Sequence, residues 1–310
     1  LGEYSIALDS RDDEANVNFV SHAHADHISG LRSAKKALAS VITKDIVESR
    51  SSLSMDLIEE PECVELLNSG HILGSRQLFI QNDLYGYSML YSGDYQMDEP
   101  ILAEKLEIKR ADVLIIDSTY PYPEVKFENK NEVIDAIQFY ARKKTERGHV
   151  VFGSYTVGRA QELVKILNDA GMIPAVDEKI AAVNKVYEKH GVRLEYVPLE
   201  QPESSPISIV RQARLNITRD AIKARSAKRV YTAVASGWAK IFRFDTDVQF
   251  NLSDHADFSQ ALEYINACSP KIIFTFGPNA RLFAKHLAMR GYDARPLGRT
   301  SEVNALMLNQ

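Results

Sequence analysis

An α/β fold in which two strand-rich flanks enclose an inserted α/β module is predicted by three observations. Residues 1–120 and 250–310 are written as short apolar runs that end in loops bearing His and Asp. Between 121 and 249 the text changes to strands alternating with helix-length amphipathic stretches, the pattern of a small α/β layer. The charge changes with it. Residues 121–249 hold 21 Lys and Arg against 16 Asp and Glu, so the formal net charge of -5 conceals a basic middle between acidic flanks. We therefore divide the chain into a first part at 1–120, an insert at 121–249 and a second part at 250–310.

In the first part, apolar or aromatic runs at 4–8, 17–20, 64–67, 77–80, 87–91 and 113–116 read as strands, with a helix around 44–50. Pro121 and Pro123 break the pattern. The insert then reads as a helix at 131–147, a strand at 149–153, a helix at 158–171 and a helix at 179–190 that ends at Gly191. Residues 198–206 form a polar loop containing Pro and Ser, and 228–235 return to a strand. In the last part, strands at 248–252 and 271–276 alternate with helices at 258–267 and 279–290.

With 45% hydrophobic residues over 310 positions, the chain has enough apolar surface to bury a sizeable core unaided. No apolar run approaches the ~18 residues of a membrane span, and no signal segment opens the chain. Its two cysteines, Cys63 and Cys268, lie in apolar or amphipathic stretches and form no disulfide framework. A soluble cytoplasmic protein is expected, of an oligomeric state that the sequence leaves open.

The chemistry is concentrated at Ser21 to His27, where His22, His24, Asp26 and His27 fall within six positions directly after an apolar run. Imidazole nitrogen and carboxylate oxygen together suit a borderline divalent ion such as Zn²⁺. Two further loops carry the same donor types. His71 lies between Gly70 and Gly74, and Asp94 follows Gly93 at the end of a strand, placed to bridge two ions.

The ordered set SHAHADH (21–27), SGHILGS (69–75), YSGDY (91–95), LIIDSTY (114–120) and SDHAD (253–257) resembles the metallo-β-lactamase superfamily and, within it, the β-CASP nucleases. The resemblance covers nearly the whole chain. It implies a four-layer αβ/βα sandwich with the insert as a β-CASP cap and substrate between them. It also implies His22, His24 and His71 as ligands of a first metal, Asp26 and His27 as ligands of a second, and Asp94 as the bridge. Asp117 matches the acidic motif before the insert, and His255 the histidine after it. One position departs from the pattern. Members with a late third motif carry a ligating His where this chain has Phe276, and an apolar residue there is the habit of the crosslink-repair branch. One tightly held Zn²⁺ and a weak second site, with Mn²⁺ as a possible occupant, are expected.

Two divalent ions roughly 3.5–4 Å apart suit in-line displacement at phosphorus. Asp26, Asp117 and His255 are the expected catalytic side chains, His255 as proton donor to the leaving oxygen and Asp117 as its orienting partner. Arg159, at the start of a helix, and Arg225, Lys228 and Arg229, in a basic run, are the expected phosphate contacts. Trp238 could stack a base or simply pack. These features predict a metal-dependent nuclease of single-stranded RNA or DNA, an exonuclease-type factor of the RNA 3′-end processing kind. Two alternatives follow from Phe276: a DNA-repair exonuclease of the same family, or a metal-depleted nucleic-acid-binding subunit. The basic insert and LIIDSTY speak against a small-ester or lactam hydrolase.

Overall fold

Strands that are apolar at every position need neighbours on both faces, and β8 (Val113–Asp117) finds them. Val113 and Ile115 point into one apolar cluster and Leu114 and Ile116 into another. The computed structural model describes residues 5–33, 36–83, 86–199, 205–225 and 229–297, and within them it builds three sheets and seven α-helices.

The first sheet is parallel, with β1 (Ile6–Leu8), β2 (Val17–Phe19), β3 (Lys36–Leu38) and β4 (Asp56–Leu57) in that order. The second has β8 near its middle. Its order is β16 (Ala294–Pro296), β15 (Ile272–Phe276), β8, β7 (Tyr87–Tyr91), β6 (Arg76–Asn82), β5 (Val64–Asn68), parallel up to β7 and antiparallel beyond. Val17, Phe19 and Leu38 of the first sheet pack on Leu78, Ile80, Tyr91 and Phe274 of the second. Helix α1 (Val41–Arg50) covers the outer face of the first sheet through Ile46 and Val47. Helices α6 (Phe258–Cys268) and α7 (Ala280–Ala288) cover that of the second through Tyr264, Ile265, Phe283 and Leu287.

The third sheet lies, in sequence, between β8 and β15. It is wholly parallel, with β11 (Val197–Pro198), β10 (Ala175–Val176), β12 (Ile207–Arg211), β9 (Gly148–Ser154), β13 (Arg229–Ala235) and β14 (Val248–Phe250) in spatial order. Helices α2 (Lys130–Thr145), α3 (Arg159–Asp169) and α4 (Glu178–Lys189) cover one face, and α5 (Leu215–Arg225) the other. One apolar cluster joins this layer to the first sheet. Ile137, Phe152, Leu163 and Val183 belong to it together with Val20, Ala23, Ile46 and Ile72.

The strands and helices read from the sequence are present within a few residues of their expected bounds. Unread were the short strands β3, β4, β10, β11 and β16, and β12. Ile207 to Val210 is a fully buried run, yet it lies between a Pro- and Ser-containing loop and a basic stretch, which masks a strand of only five residues. No helix among the described residues is long and apolar enough to cross a membrane.

Candidate metal centre

Carboxyl ends of strands from all three sheets meet around one cavity of about 740 Å³, the position at which open α/β sheets bind ligands. Asp9 follows β1, residues 21–27 follow β2, Asp94 follows β7, Asp117 closes β8 and Phe276 closes β15. The third sheet contributes residues 155–157 after β9 and 236–238 after β13. Gly74 permits the loop that carries His71. Its φ of +80° favours glycine, and a Cβ there would stand 2.5 Å from Ile42 Cβ.

His22, His24, His71 and Asp94 converge. His24 Nδ1 lies 2.9 Å from His22 Nε2 and 3.2 Å from His71 Nε2, and Asp94 Oδ2 lies 3.6 Å and 3.8 Å from the latter two nitrogens. A tetrahedral ion bound at about 2.0–2.1 Å needs ligand atoms about 3.3–3.4 Å apart. The observed spacings bracket that value.

The protons of these rings point away from the centre. Ser21 Oγ donates to Asp9 Oδ2 at 2.6 Å and accepts from His22 Nδ1 at 2.9 Å. His24 Nε2 donates to the Val157 carbonyl at 3.2 Å, and His71 Nδ1 to the Asp254 carbonyl at 2.8 Å. Burial first, then mutual repulsion among the histidines, pushes His22 well below the ordinary imidazole range, and burial likewise dominates the lowered values of His24 and His71. Three neutral rings thus face one another with lone pairs at 2.9–3.2 Å, an arrangement that repels itself unless a cation stands between them. The donor set fits a divalent metal.

The second subset is more open. His27 Nε2 lies 3.5 Å from Asp94 Oδ2 and 3.7 Å from Asp26 Oδ2, and the Asp26 side chain is 81% exposed. Asp9, which the sequence reading did not single out, orients this ring by accepting from His27 Nδ1 at 2.8 Å, and it also accepts from Tyr91 Oη at 2.9 Å. Burial works against charge on His27, but Asp94 and Asp9 outweigh it and raise its pKa to about 10, a proton that a bound dication would displace. Phe276 walls this side, its ring 4.8 Å from that of Tyr91 and its strand position paired with Asp117. It offers no ligand atom.

Asp117, at the end of β8, and His255, in the loop before α6, meet. His255 Nδ1 lies 3.3 Å from Asp117 Oδ2, while Asp117 Oδ1 accepts from Thr119 N at 3.0 Å and Thr119 Oγ1 at 2.8 Å. The other ring nitrogen, Nε2, lies 3.9 Å from Asp94 Oδ2. Burial opposes protonation of His255, but the bond to Asp117 and the charges of Asp94 and Asp254 prevail and raise its pKa to about 9. The final Asp of SDHAD has a local task. Asp257 and Gln260 form the capping box of α6, which fixes the loop carrying His255.

The expected phosphate contacts fare differently. Arg159 does not present its guanidinium to solvent: it is 2% exposed and held by Glu162 and by Asp254 Oδ1, the latter at 3.1 Å. Glu162, one helical turn further along α3, supplies the counter-charge that a phosphate was expected to supply. Arg225 and Arg229 are exposed, but Arg229 opens β13 and the cavity lies beyond its other end, about 20 Å away at about 3.3 Å per residue. Lys228 lies outside the described residues. Trp238 is half-buried and lines the cavity.

Such a site, set at the strand ends of layered α/β sheets, brings together a His and Asp donor set that could hold a metal ion. No family model matches the chain. A probable DNA ligase of Opitutus terrae is 27% identical over 92% of this chain and 29% of its own length. The RNase J-like protein of Methanocaldococcus jannaschii is 29% identical over 51% of this chain and 45% of its own, and the mouse DNA cross-link repair 1A protein is 28% identical over 49% and 16%. Through these relatives the chain is similar to the β-CASP proteins of the metallo-β-lactamase superfamily. It spans less than half the length of each of these three relatives.

Proposed function

We propose that the chain hydrolyses phosphodiester bonds at the ends of single-stranded nucleic acid, with Zn²⁺ as resident metal and the layer at 121–249 acting as a β-CASP cap on an αβ/βα sandwich. The observation that carries this reading is the buried Asp117–His255 pair standing beside the converging His22, His24, His71 and Asp94. A divalent ion held by those ligands supplies Lewis-acid chemistry at phosphorus. His255, kept charged by its neighbours, holds the proton that the leaving oxygen needs, and Asp117 holds the ring in line. Asp26, the carboxylate of its loop and largely exposed, stands at the cavity mouth beside His27 to accept the proton of the attacking water.

Single strands are favoured by the opposite wall. Tyr155 and Trp238 line the cavity, and Trp238 neighbours the ring of Phe242, 5.5 Å away between centroids and 57% exposed. Unpaired bases stack on such surfaces. Trp238→Ala is expected to weaken single-strand binding by about 5- to 160-fold, as a stacking loss of about 1–3 kcal/mol implies, with bound metal unchanged. Fluorescence anisotropy with a labelled oligonucleotide reads the first and elemental analysis the second. Equal affinity in the variant would reassign Trp238 to packing alone.

An RNA substrate accords with the relative named RNase J-like. A second reading, DNA ends, is favoured by Phe276 at the late motif and by the relatives named for DNA ligation and cross-link repair. Matched RNA and DNA oligonucleotides labelled at either end and incubated with Zn²⁺ or Mn²⁺ test both. Ladders shortening from one end are expected, on one sugar in preference to the other, and full-length strands in every lane would overturn the nuclease reading.

A further inference from the structure

We propose that residues 157–159, the turn leading from β9 into α3, retain the metal: the third sheet layer, beyond covering the site, orients two of the three imidazoles that face one another there. The proposal rests on the metal reading of the site. His22 takes its orienting partner, Ser21, from its own loop. His24 and His71 do not. His24 donates to the carbonyl of Val157, across the boundary between layers. His71 donates to the carbonyl of Asp254, whose carboxylate is held by Arg159 of α3.

The turn is built for this contact. Gly158 has φ +79°, and a Cβ at that position would stand 2.5 Å from Ile72 Cγ2 and 3.8 Å from His24 Nε2. The backbone therefore lies directly on the loop that carries His71, closer than any side chain would allow. Arg159 is buried between two carboxylates, Glu162 from its own helix and Asp254 from the loop before α6. The guanidinium, 3.1 Å from Asp254 Oδ1, ties down the residue whose carbonyl is aimed at His71. A buried guanidinium with two partners has one low-energy geometry, because a lost partner leaves an unpaired charge. Separation of the layers would thus release the orienting partners of His24 and His71 together.

Loss of such outer partners costs metal affinity about 10- to 100-fold. Coupling is reciprocal, so bound metal should in turn tighten the layers. The test is competition for Zn²⁺ between the protein and a colorimetric chelator, with circular dichroism and the thermal midpoint of the metal-free forms as controls. Arg159→Lys keeps the charge and loses the fork, and Gly158→Ala pushes the turn off Ile72. Arg211→Lys breaks a comparable pair with Asp177 elsewhere in the same layer. The first two variants are expected to release Zn²⁺ about 10-fold or more at lower chelator, and Arg211→Lys to match the wild type. Zn²⁺ should also slow hydrogen exchange at amides 157–162.

If Arg159→Lys fails to fold without metal, Gly158→Ala carries the test. Wild-type affinity in a folded variant overturns the proposal, as does equal release from Arg211→Lys, which would mark general loosening. A wild-type chain that takes up no Zn²⁺ overturns the metal reading itself and this proposal with it.

Discussion

Alanine in place of His255 is expected to lower turnover by about 10²- to 10⁴-fold, the usual contribution of a positioned general acid, while one equivalent of metal stays bound. The side chain is outside the His22, His24, His71 and Asp94 cluster, so its loss leaves that donor set whole. What disappears is the proton held at Nε2 and the partner of Asp117 Oδ2. Asp117→Asn should act in the same direction with a smaller loss, since the amide can still meet the ring but no longer holds its charge. Rate, metal content and thermal midpoint belong on one preparation. Activity within a few-fold of wild type would remove His255 from the chemistry, and metal leaving with the imidazole would make it a ligand.

Asp94→Ala should have the larger effect on metal. Its Oδ2 lies within 4 Å of ring nitrogens of His22, His27, His71 and His255, and it is the carboxylate common to both ligand subsets. Burial raises its pKa, so in the absence of a cation this carboxyl is held uncomfortably, and a dication relieves that strain. Wild-type protein is expected to keep one equivalent through dialysis and a substoichiometric second, because Phe276 leaves the His27 side short of a ligand. The variant should keep none, with activity lost and the metal-dependent part of its thermal midpoint gone. A dialysed Asp94→Ala protein that still held a full equivalent would exclude Asp94 from the first site.

The candidate donors stand out in the sequence because they are local: His22, His24, Asp26 and His27 advertise themselves by density, and His71 and Asp94 by the glycine turns beside them. Apart from Ser21 beside His22, their supports do not, because they are long-range contacts. Asp9 meets His27 across 18 positions, Asp254 meets His71 across 183, and the Val157 carbonyl, which has no side-chain signature at all, meets His24 across 133. Arg159 was misread for a related reason. A helix-start arginine before a phosphate and one sealed against Glu162 look alike until the helix is folded onto Asp254. Arg225 and Arg229, expected as phosphate contacts, are exposed, but composition carries no information about which end of β13 faces the cavity.

The pairing of β8 with β15 bears on how the polypeptide is made. Asp117 and His255 are separated by 138 positions, and β15, which lies beside β8 in register with Phe276 opposite Asp117, is translated later still. Until it emerges, β8 is an edge strand whose four apolar residues have an open backbone on one side, the arrangement most prone to pair with another nascent copy. A polypeptide ending before residue 250 would therefore carry His22 to Asp94 but lack His255, the Asp254 carbonyl that meets His71 and the strand that covers the edge of β8.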